Sequence, residues 1–450
     1  MTTARVCIIG AGPSGVAAAK NCIEAGLDCV VYEKNNKVGG NWVFDSDTSH
    51  SSVYENTHII SSKYWSEYED FRMPDDYPDY PNHKQLQAYF DNYAASHGVK
   101  DKIQFGVSVQ RVEKCDDGWK VSIADADDIE SVEAFTQLMV CNGHHWNPKF
   151  PEYPGEFNGE YLHSHDFKKV PEEWRGKRIL VIGAGNSACD VAVEAARVAE
   201  TVTMSMRTPQ WFIPKFLMGK PSDVKAAQSK FLPAWLRNFF LKAILELSQG
   251  KLEDYGLKTP PWKPLEQHPT VNSDLLDFIR HGRIKPVGGI DRFDGDNVVF
   301  EDGSSQAYDI VVACTGFWIT FPFFEEGFIS YQHAEKVPLY RKMMHPEYDD
   351  LYFIGLFQPI GCIWPLADYQ AMLACEEIAG RYKRPANMIE AMEAEAEQAP
   401  FKFRGGSRHS TEVDYHHFRN KLVRDLRTAG AMIGKPPQGK KGIHTRSRAA

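Results

Sequence analysis

The chain has 450 residues, a formal net charge of −9 and 43 % hydrophobic residues, a length that fits roughly three domains of ordinary size. With no dominant basic face this balance argues against nucleic acid as a partner, and no run of about 18 apolar residues is present to span a membrane. The nine cysteines are odd in number and scattered, with no Cys-x-x-Cys pair, which predicts reduced thiols in a cytoplasmic protein.

In chain order, the first apolar strand covers residues 6–9 and runs into Gly10-Ala11-Gly12-Pro13-Ser14-Gly15, which opens a segment with helical periodicity. This strand–turn–helix context is what a dinucleotide fingerprint requires. Gly10 permits the reversal, Gly12 lets backbone approach a pyrophosphate, and Gly15 keeps helix and strand close. The anion then rests on the unpaired N–H groups of the helix N-terminus. The next strand, 29–32, ends in Glu33, about the ~20-residue spacing at which a carboxylate reads ribose hydroxyls. A third strand, 138–141, closes the first nucleotide domain at Asn142-Gly143.

The same pattern recurs. Strand 179–182 leads into Gly183-Ala184-Gly185-Asn186-Ser187-Ala188, and strand 202–206 ends in Arg207-Thr208 instead of an acid. A carboxylate there would repel a ribose 2′-phosphate, whereas a guanidinium pairs with it bidentately and a hydroxyl donates to it. The asymmetry predicts FAD on the first turn and NADP on the second. An insertion over about 211–265 exceeds a minimal Rossmann unit. Within it Leu232, Trp235, Leu236, Phe239, Phe240, Ala243, Ile244 and Leu247 recur at helical spacing, which predicts one wide apolar face packed on the domain, with a lid or membrane-surface helix as the alternative. Strand 310–314 ends in Thr315-Gly316, a further strand covers 351–355, and a helix begins near Asp368. The expected architecture is α/β, with two Rossmann-like dinucleotide-binding domains, the NADP domain inserted into the FAD domain. The expected boundaries are 1–155 (FAD, first part), 156–288 (NADP), 289–433 (FAD, second part) and a disordered basic tail over 434–450.

Residues 157–168 carry the spacing Phe-x-Gly-x-x-x-His-x-x-x-Phe-Lys. Together with Glu33, Gly39-Gly40-Asn41-Trp42, the Gly-Asn-Ser of the second turn, Cys314-Thr315-Gly316-Phe317 and Gly355-Leu356-Phe357-Gln358-Pro359, this resembles the flavin-containing monooxygenases from Val6 to about Leu426. Lacking the C-terminal hydrophobic anchor of the vertebrate members, the chain is similar to soluble, bacterial-type representatives. The resemblance implies that NADPH reduces FAD, that oxygen adds to give a C4a-hydroperoxyflavin, and that a soft amine or sulfide takes up the distal oxygen. Alternatives are Baeyer–Villiger oxygenation of ketones, or an uncoupled NADPH oxidase or cofactor-sensing flavoprotein.

The implied cofactor-binding residues are Gly10, Gly12, Pro13, Ser14, Gly15, Glu33, Asn41, Trp42, Gly183, Gly185, Asn186, Ser187, Arg207, Thr208, Thr315 and Gln358, with no metal. His163 is expected in the linker between domains, fixing their placement. One departure stands out: where the family has an Asn-Ser or Asn-Thr pair beneath the flavin, this chain has Ile60-Ser61-Ser62-Lys63. Ile60 offers no polar side-chain group, so Ser61 or Ser62 is the candidate replacement; otherwise peroxide leaks. The expected partners are a small-molecule substrate and oxygen, and the oligomeric state is open between monomer and homodimer.

Overall fold

The computed structural model describes residues 4–44, 50–229, 232–267, 269–334, 337–397, 411–431 and 433. In chain order, the elements that carry the argument are β1 (Arg5–Ile9), α1 (Pro13–Ala25), β2 (Asp28–Glu33), β3 (Ile103–Phe105), β4 (Gln137–Val140), β5 (Glu160–His163), β6 (Arg178–Ile182), α2 (Asn186–Ala195), β7 (Thr201–Ser205), α3 (Ala234–Gln249), β8 (Ile284–Val287), β9 (Ile310–Ala313), β10 (Leu351–Phe353), α4 (Trp364–Ile378) and α5 (Tyr415–Thr428). They build two five-stranded sheets, in the orders β10-β4-β1-β2-β3 and β8-β7-β6-β9-β5, and every pairing in both is parallel. The central strands read as near-continuous Val/Ile/Leu runs because helices and loops cover both faces of a parallel sheet. From Val6 to Ile9, and again from Ile179 to Ile182, each residue is buried.

The three central strands of the first sheet, β1, β2 and β4, recur in the second as β6, β7 and β9 at a fixed separation of 173 positions. Gly10 N–H donates to the Tyr32 carbonyl at 2.8 Å, and Gly183 N–H to the Ser205 carbonyl at 3.0 Å. Cys141 N–H donates to Ile9, and Cys314 N–H to Ile182, at 3.0 and 2.8 Å. The same turn geometry is therefore built twice, around β1 and around β6.

The described chain divides into two units, one within 1–51, 61–145 and 319–450, the other within 52–60 and 146–318. The second is internal to the first in sequence, as an inserted domain is, but its limits differ from 156 and 288. The stretch after 288 does not rejoin the first unit until about 319, because β9 lies between β6 and β5 in the second sheet. The hairpin strands Ile290–Asp294 and Asn297–Phe300 pack there too, through Ile290, Phe293, Val298 and Phe300.

Two other expectations are corrected. His163 is not in a linker: it ends β5 and pairs with Ala313 within the second sheet. The signature around it is structural, since a Cβ on Gly159 would lie 2.5 Å from the Asp309 carbonyl, and Phe167 packs between Tyr54 and Trp174. Burial pushes the His163 imidazole down to about 4, which keeps it neutral. The apolar face of α3 is the second correction. The helix packs through Leu245 and Leu241, with Asn238 accepting a bond from Leu265 N–H. Trp235, Phe239, Phe240 and Leu247, expected inside, are exposed by 65, 63, 47 and 90 %. Leu241 and Leu245 lie on the opposite side of the helix from this stripe, so the helix carries apolar residues on two faces. Among the described residues no helix is long and apolar enough to cross a membrane. The basic tail at 434–450 lies outside the described residues.

Candidate functional site

In the first unit four loops gather at the carboxyl ends of β1, β2, β4 and β10, where open parallel sheets bind ligands. The turn after β1 comes first. A Cβ on Gly15 would lie 1.8 Å from the Gly10 carbonyl, so only glycine lets α1 start this close to the turn. Gly12 differs: its absent Cβ faces Gly40 Cα at 3.5 Å, ordinary contact distance, so the protein itself does not demand glycine there. With glycines 12 and 40 facing one another, no side chain of either residue stands in the way of a pyrophosphate approaching the backbone N–H groups of this turn. Pro13 takes the first helical position, where no N–H is needed.

Glu33, almost wholly buried, organises the turn. One carboxylate oxygen accepts Ala11 N–H at 2.6 Å and the other accepts Asn35 N–H at 2.8 Å. Burial pushes its pKa up, while the two backbone donors hold it down. Each oxygen keeps a second lone pair with which to accept from ribose hydroxyls. The second loop, holding Asn41 and Trp42, is drawn in by a bond from Gly39 N–H to the Ala11 carbonyl at 3.1 Å. Trp42 meets Trp364 edge-on at 5.8 Å, and the Asn41 carbonyl accepts from Ser51 Oγ at 2.8 Å.

The third loop follows β10. Gly355 stands so close to the first turn that a Cβ would reach within 2.2 Å of Ser14 Oγ, and its N–H donates to Gln370 Oε1 at 2.9 Å. Further along, the Gln358 side chain bonds to His144 of the fourth loop, after β4, whose imidazole burial and neighbouring His145 keep neutral. Asn142, beside it, donates from Nδ2 to the Thr320 carbonyl at 3.2 Å. Asn142 and His144 were missed in the sequence, although the symmetry between Asn142-Gly143 and Thr315-Gly316 was available as a signal.

Ser61 and Ser62 are both buried. Ser66 Oγ donates its only proton to the Ser62 carbonyl, so in the 2.8 Å contact between Ser61 Oγ and Ser66 Oγ the proton belongs to Ser61. The Ser61 hydroxyl proton is thus already committed within the protein. Glu24, Asp70 and His97 lie close enough to share an ion, but Lys20 already supplies the positive charge there, bonding Asp70 at 2.8 Å and Asp368 at 3.0 Å.

In the second unit the turn after β6 leaves open space around Gly185, where a Cβ would meet nothing within 4 Å, and Ser187 is exposed. Thr315, one step past the residue that binds Ile182, donates from Oγ1 to the Lys149 carbonyl at 2.5 Å. The residue that occupies Glu33's place in the repeat is Met206, since Tyr32 corresponds to Ser205. Arg207 comes one residue later, is exposed, and has no ion-pair partner among the described residues. Thr208 follows it, half-buried.

The family model described as flavin-binding monooxygenase-like matches residues 3–433. Flavin-containing monooxygenase 5 of Rattus norvegicus is 33 % identical over 438 residues, covering 92 % of this chain and 81 % of that protein; flavin-containing monooxygenase 3 of the same species is 33 % identical over 398 residues, 84 and 74 %. The fold is similar to S-allyl-L-cysteine S-oxygenase from Allium sativum, with TM-score 0.68, 22 % identity and coverage of 94 and 88 %. It is also similar to cyclohexanone monooxygenase from Rhodococcus sp. Phi1 bound to NADP+, with TM-score 0.69, 17 % identity and coverage of 95 and 98 %. A match that takes in both glycine turns and the strands between them makes the chain a member of the flavin-binding monooxygenase-like family and a flavin-dependent oxidoreductase.

Proposed function

We propose that the protein is an NADPH- and oxygen-dependent monooxygenase that oxygenates soft nucleophiles, amine nitrogen or sulfide sulfur, with FAD on the Gly10–Gly15 turn and NADP on the Gly183–Ala188 turn. The observation that carries this reading is the difference between two otherwise repeated strand ends. The first offers Glu33, an acceptor for ribose hydroxyls; the second offers Met206 and an Arg207 with no ion-pair partner among the described residues. At the strand-end position Met206 presents no carboxylate to repel a 2′-phosphate, and the exposed guanidinium of Arg207 stands next to it.

FAD, once reduced, supplies oxygen activation and delivery of one oxygen atom to the substrate. The work of the chain is to bind, orient and exclude water. Glu33 holds the first turn and the ribose together, Gly12 and Gly40 leave the pyrophosphate its space, and Arg207 with Thr208 selects the phosphorylated dinucleotide. His144 and Gln358 supply a neutral hydrogen-bonding pair at the crevice edge, where a cation would be poorly solvated. All nine cysteines are free, which supports a reducing, cytoplasmic setting. Ile60 favours one rival, an NADPH oxidase that releases peroxide.

The deciding experiment incubates holoenzyme with NADPH, oxygen and a panel of tertiary amines, thioethers, indole and small ketones, and measures product by mass spectrometry per NADPH consumed. An N-oxide or sulfoxide as main product supports the proposal. Lactones or esters from ketones alone would replace it with Baeyer–Villiger chemistry, and stoichiometric hydrogen peroxide without product would replace it with the oxidase.

A further inference from the structure

The insertion in the second unit returns to the sheet through a short strand, Thr270–Val271, paired with Phe212–Ile213. Three successive residues of that return bond to the second glycine turn and the helix it opens. Thr270 Oγ1 donates to the Ala184 carbonyl at 2.8 Å, Val271 N–H donates to Asn186 Oδ1 at 2.7 Å, and Asn272 Nδ2 donates to Asp190 Oδ1 at 2.9 Å. Asn272 is itself held, because its Oδ1 accepts the N–H groups of Asp274 and Leu275 at 2.9 and 2.8 Å.

These bonds fix an orientation. A backbone N–H only donates, so Val271 compels the oxygen of the Asn186 carboxamide to face it. The amide nitrogen must then point the other way. Asn186 is the first residue of α2, directly after Gly185, and its Nδ2 bonds no described residue. Two further donor hydrogens are thereby added to the helix N-terminus where a pyrophosphate would sit.

The first turn shows why such a brace is needed. Ala11, the counterpart of Ala184, has its N–H held by Glu33 at 2.6 Å and its carbonyl held by Gly39 N–H at 3.1 Å. In the second turn Met206 takes the place of Glu33, among the described residues no carboxylate accepts the Ala184 N–H, and Thr270 Oγ1 holds the Ala184 carbonyl as Gly39 N–H holds that of Ala11.

We infer that Thr270, Val271 and Asn272 are positioning residues for the nicotinamide dinucleotide: they hold the Gly183–Ala188 turn and set the Asn186 carboxamide with its donors toward the pyrophosphate. The inference rests on the reading that NADP occupies this turn.

Its test titrates NADP+ into oxidised holoenzyme by calorimetry, with flavin content and melting temperature measured alongside. Asn186→Asp keeps the acceptor for Val271 but turns an anion toward the pyrophosphate, so NADP+ should bind about 10- to 100-fold more weakly with flavin content unchanged. Thr270→Val removes the hydroxyl at constant shape and should weaken binding by roughly 3- to 10-fold, with Thr270→Ser restoring it. Gly185→Val, at a position with open space around it, is the reference that blocks the site. If Gly185→Val abolishes binding while Asn186→Asp stays within about twofold of wild type, the positioning inference is overturned and the cofactor assignment stands. If Gly185→Val also binds normally, NADP lies elsewhere and both fall. Should Thr270→Val fail to fold, Asn186→Asp decides alone.

Discussion

Asp190 offers the sharpest quantitative test of the second unit. It lies on the first turns of α2, accepts from Asn272 Nδ2 at 2.9 Å, and bonds the Tyr54 phenol. Burial, the largest influence, pushes its carboxyl up from 3.8 to about 6; Lys215, Tyr54 and Asn272 pull the other way, and Glu194, one helical turn on, adds to the rise. A carboxyl whose folded pKa exceeds its unfolded one stabilises the fold in its neutral form. That contribution is complete below the unfolded value and is lost as pH rises through about 6. At neutral pH the ionised Asp190 therefore costs up to about 3 kcal/mol, at ~1.4 kcal/mol for each pH unit separating the folded from the unfolded pKa. Asp190→Asn removes the charge at constant shape: its oxygen still accepts from Asn272 and its amide donates to the Tyr54 oxygen. The variant should match wild type near pH 3.5, gain about half of its advantage by roughly pH 5, and gain about 1–3 kcal/mol by roughly pH 8. For a unit of this size that is a rise of roughly 3–10 °C in melting temperature, read by scanning calorimetry across the pH series. A variant no more stable than wild type at high pH, or one whose advantage does not grow with pH, would show that the carboxylate is well solvated or fully compensated by Lys215, and the reasoning would fail.

Three further outcomes follow from the site. Gly12→Val places a side chain against Gly40, where a Cβ meets only ordinary contact distances, so it should purify folded but colourless; full flavin content by absorbance would remove FAD from the first turn. Arg207→Ala loses a bidentate charge-assisted contact, so the KM for NADPH should rise roughly 30- to 150-fold while that for NADH stays nearly unchanged; equal losses with both would place Arg207 away from the 2′-phosphate. Wild type should release measurable hydrogen peroxide even with a good substrate, and Ile60→Asn should lower the peroxide formed per NADPH; a rise instead would show that other groups already do the work assigned to the family's Asn.

Much of this was legible from the sequence because the responsible signals are local. The two glycine turns, the apolar strands before them and Glu33 about ~20 residues on depend on contacts short enough for spacing to encode. Other features were not legible, for physical reasons. β9 and β10 are similar buried runs, Ile-Val-Val-Ala and Leu-Tyr-Phe, and nothing in a two-sided apolar strand states which sheet it joins. Hence the boundary expected at 288 falls instead near 318. In α3, helical spacing identified an apolar face correctly as a face, but whether it meets the protein or faces outward depends on partners far away in sequence. The brace at Thr270–Asn272 was invisible because it spans more than 80 residues and uses one backbone N–H, which carries no residue signature.

The repeat explains why that brace belongs with the cofactor difference. In the first unit one carboxylate bonds Ala11 N–H and, in the proposed reading, also presents acceptors to a ribose. Those purposes separate when the ribose carries a phosphate, because a buried acid at that position would face a dianion with little water between them. Met206 removes the repulsion and, with it, the carboxylate acceptor that the Ala11 N–H has in the first turn. The carbonyl of the same residue is held in both turns by an uncharged donor, Gly39 N–H at Ala11 and Thr270 Oγ1 at Ala184. Thr270 and Val271 reach Ala184 and Asn186 only because the insertion leads the chain away after β7 and back again before β8. If NADP occupies the second turn as proposed, the insertion is tied to dinucleotide binding through its return strand, whatever its exposed helix does.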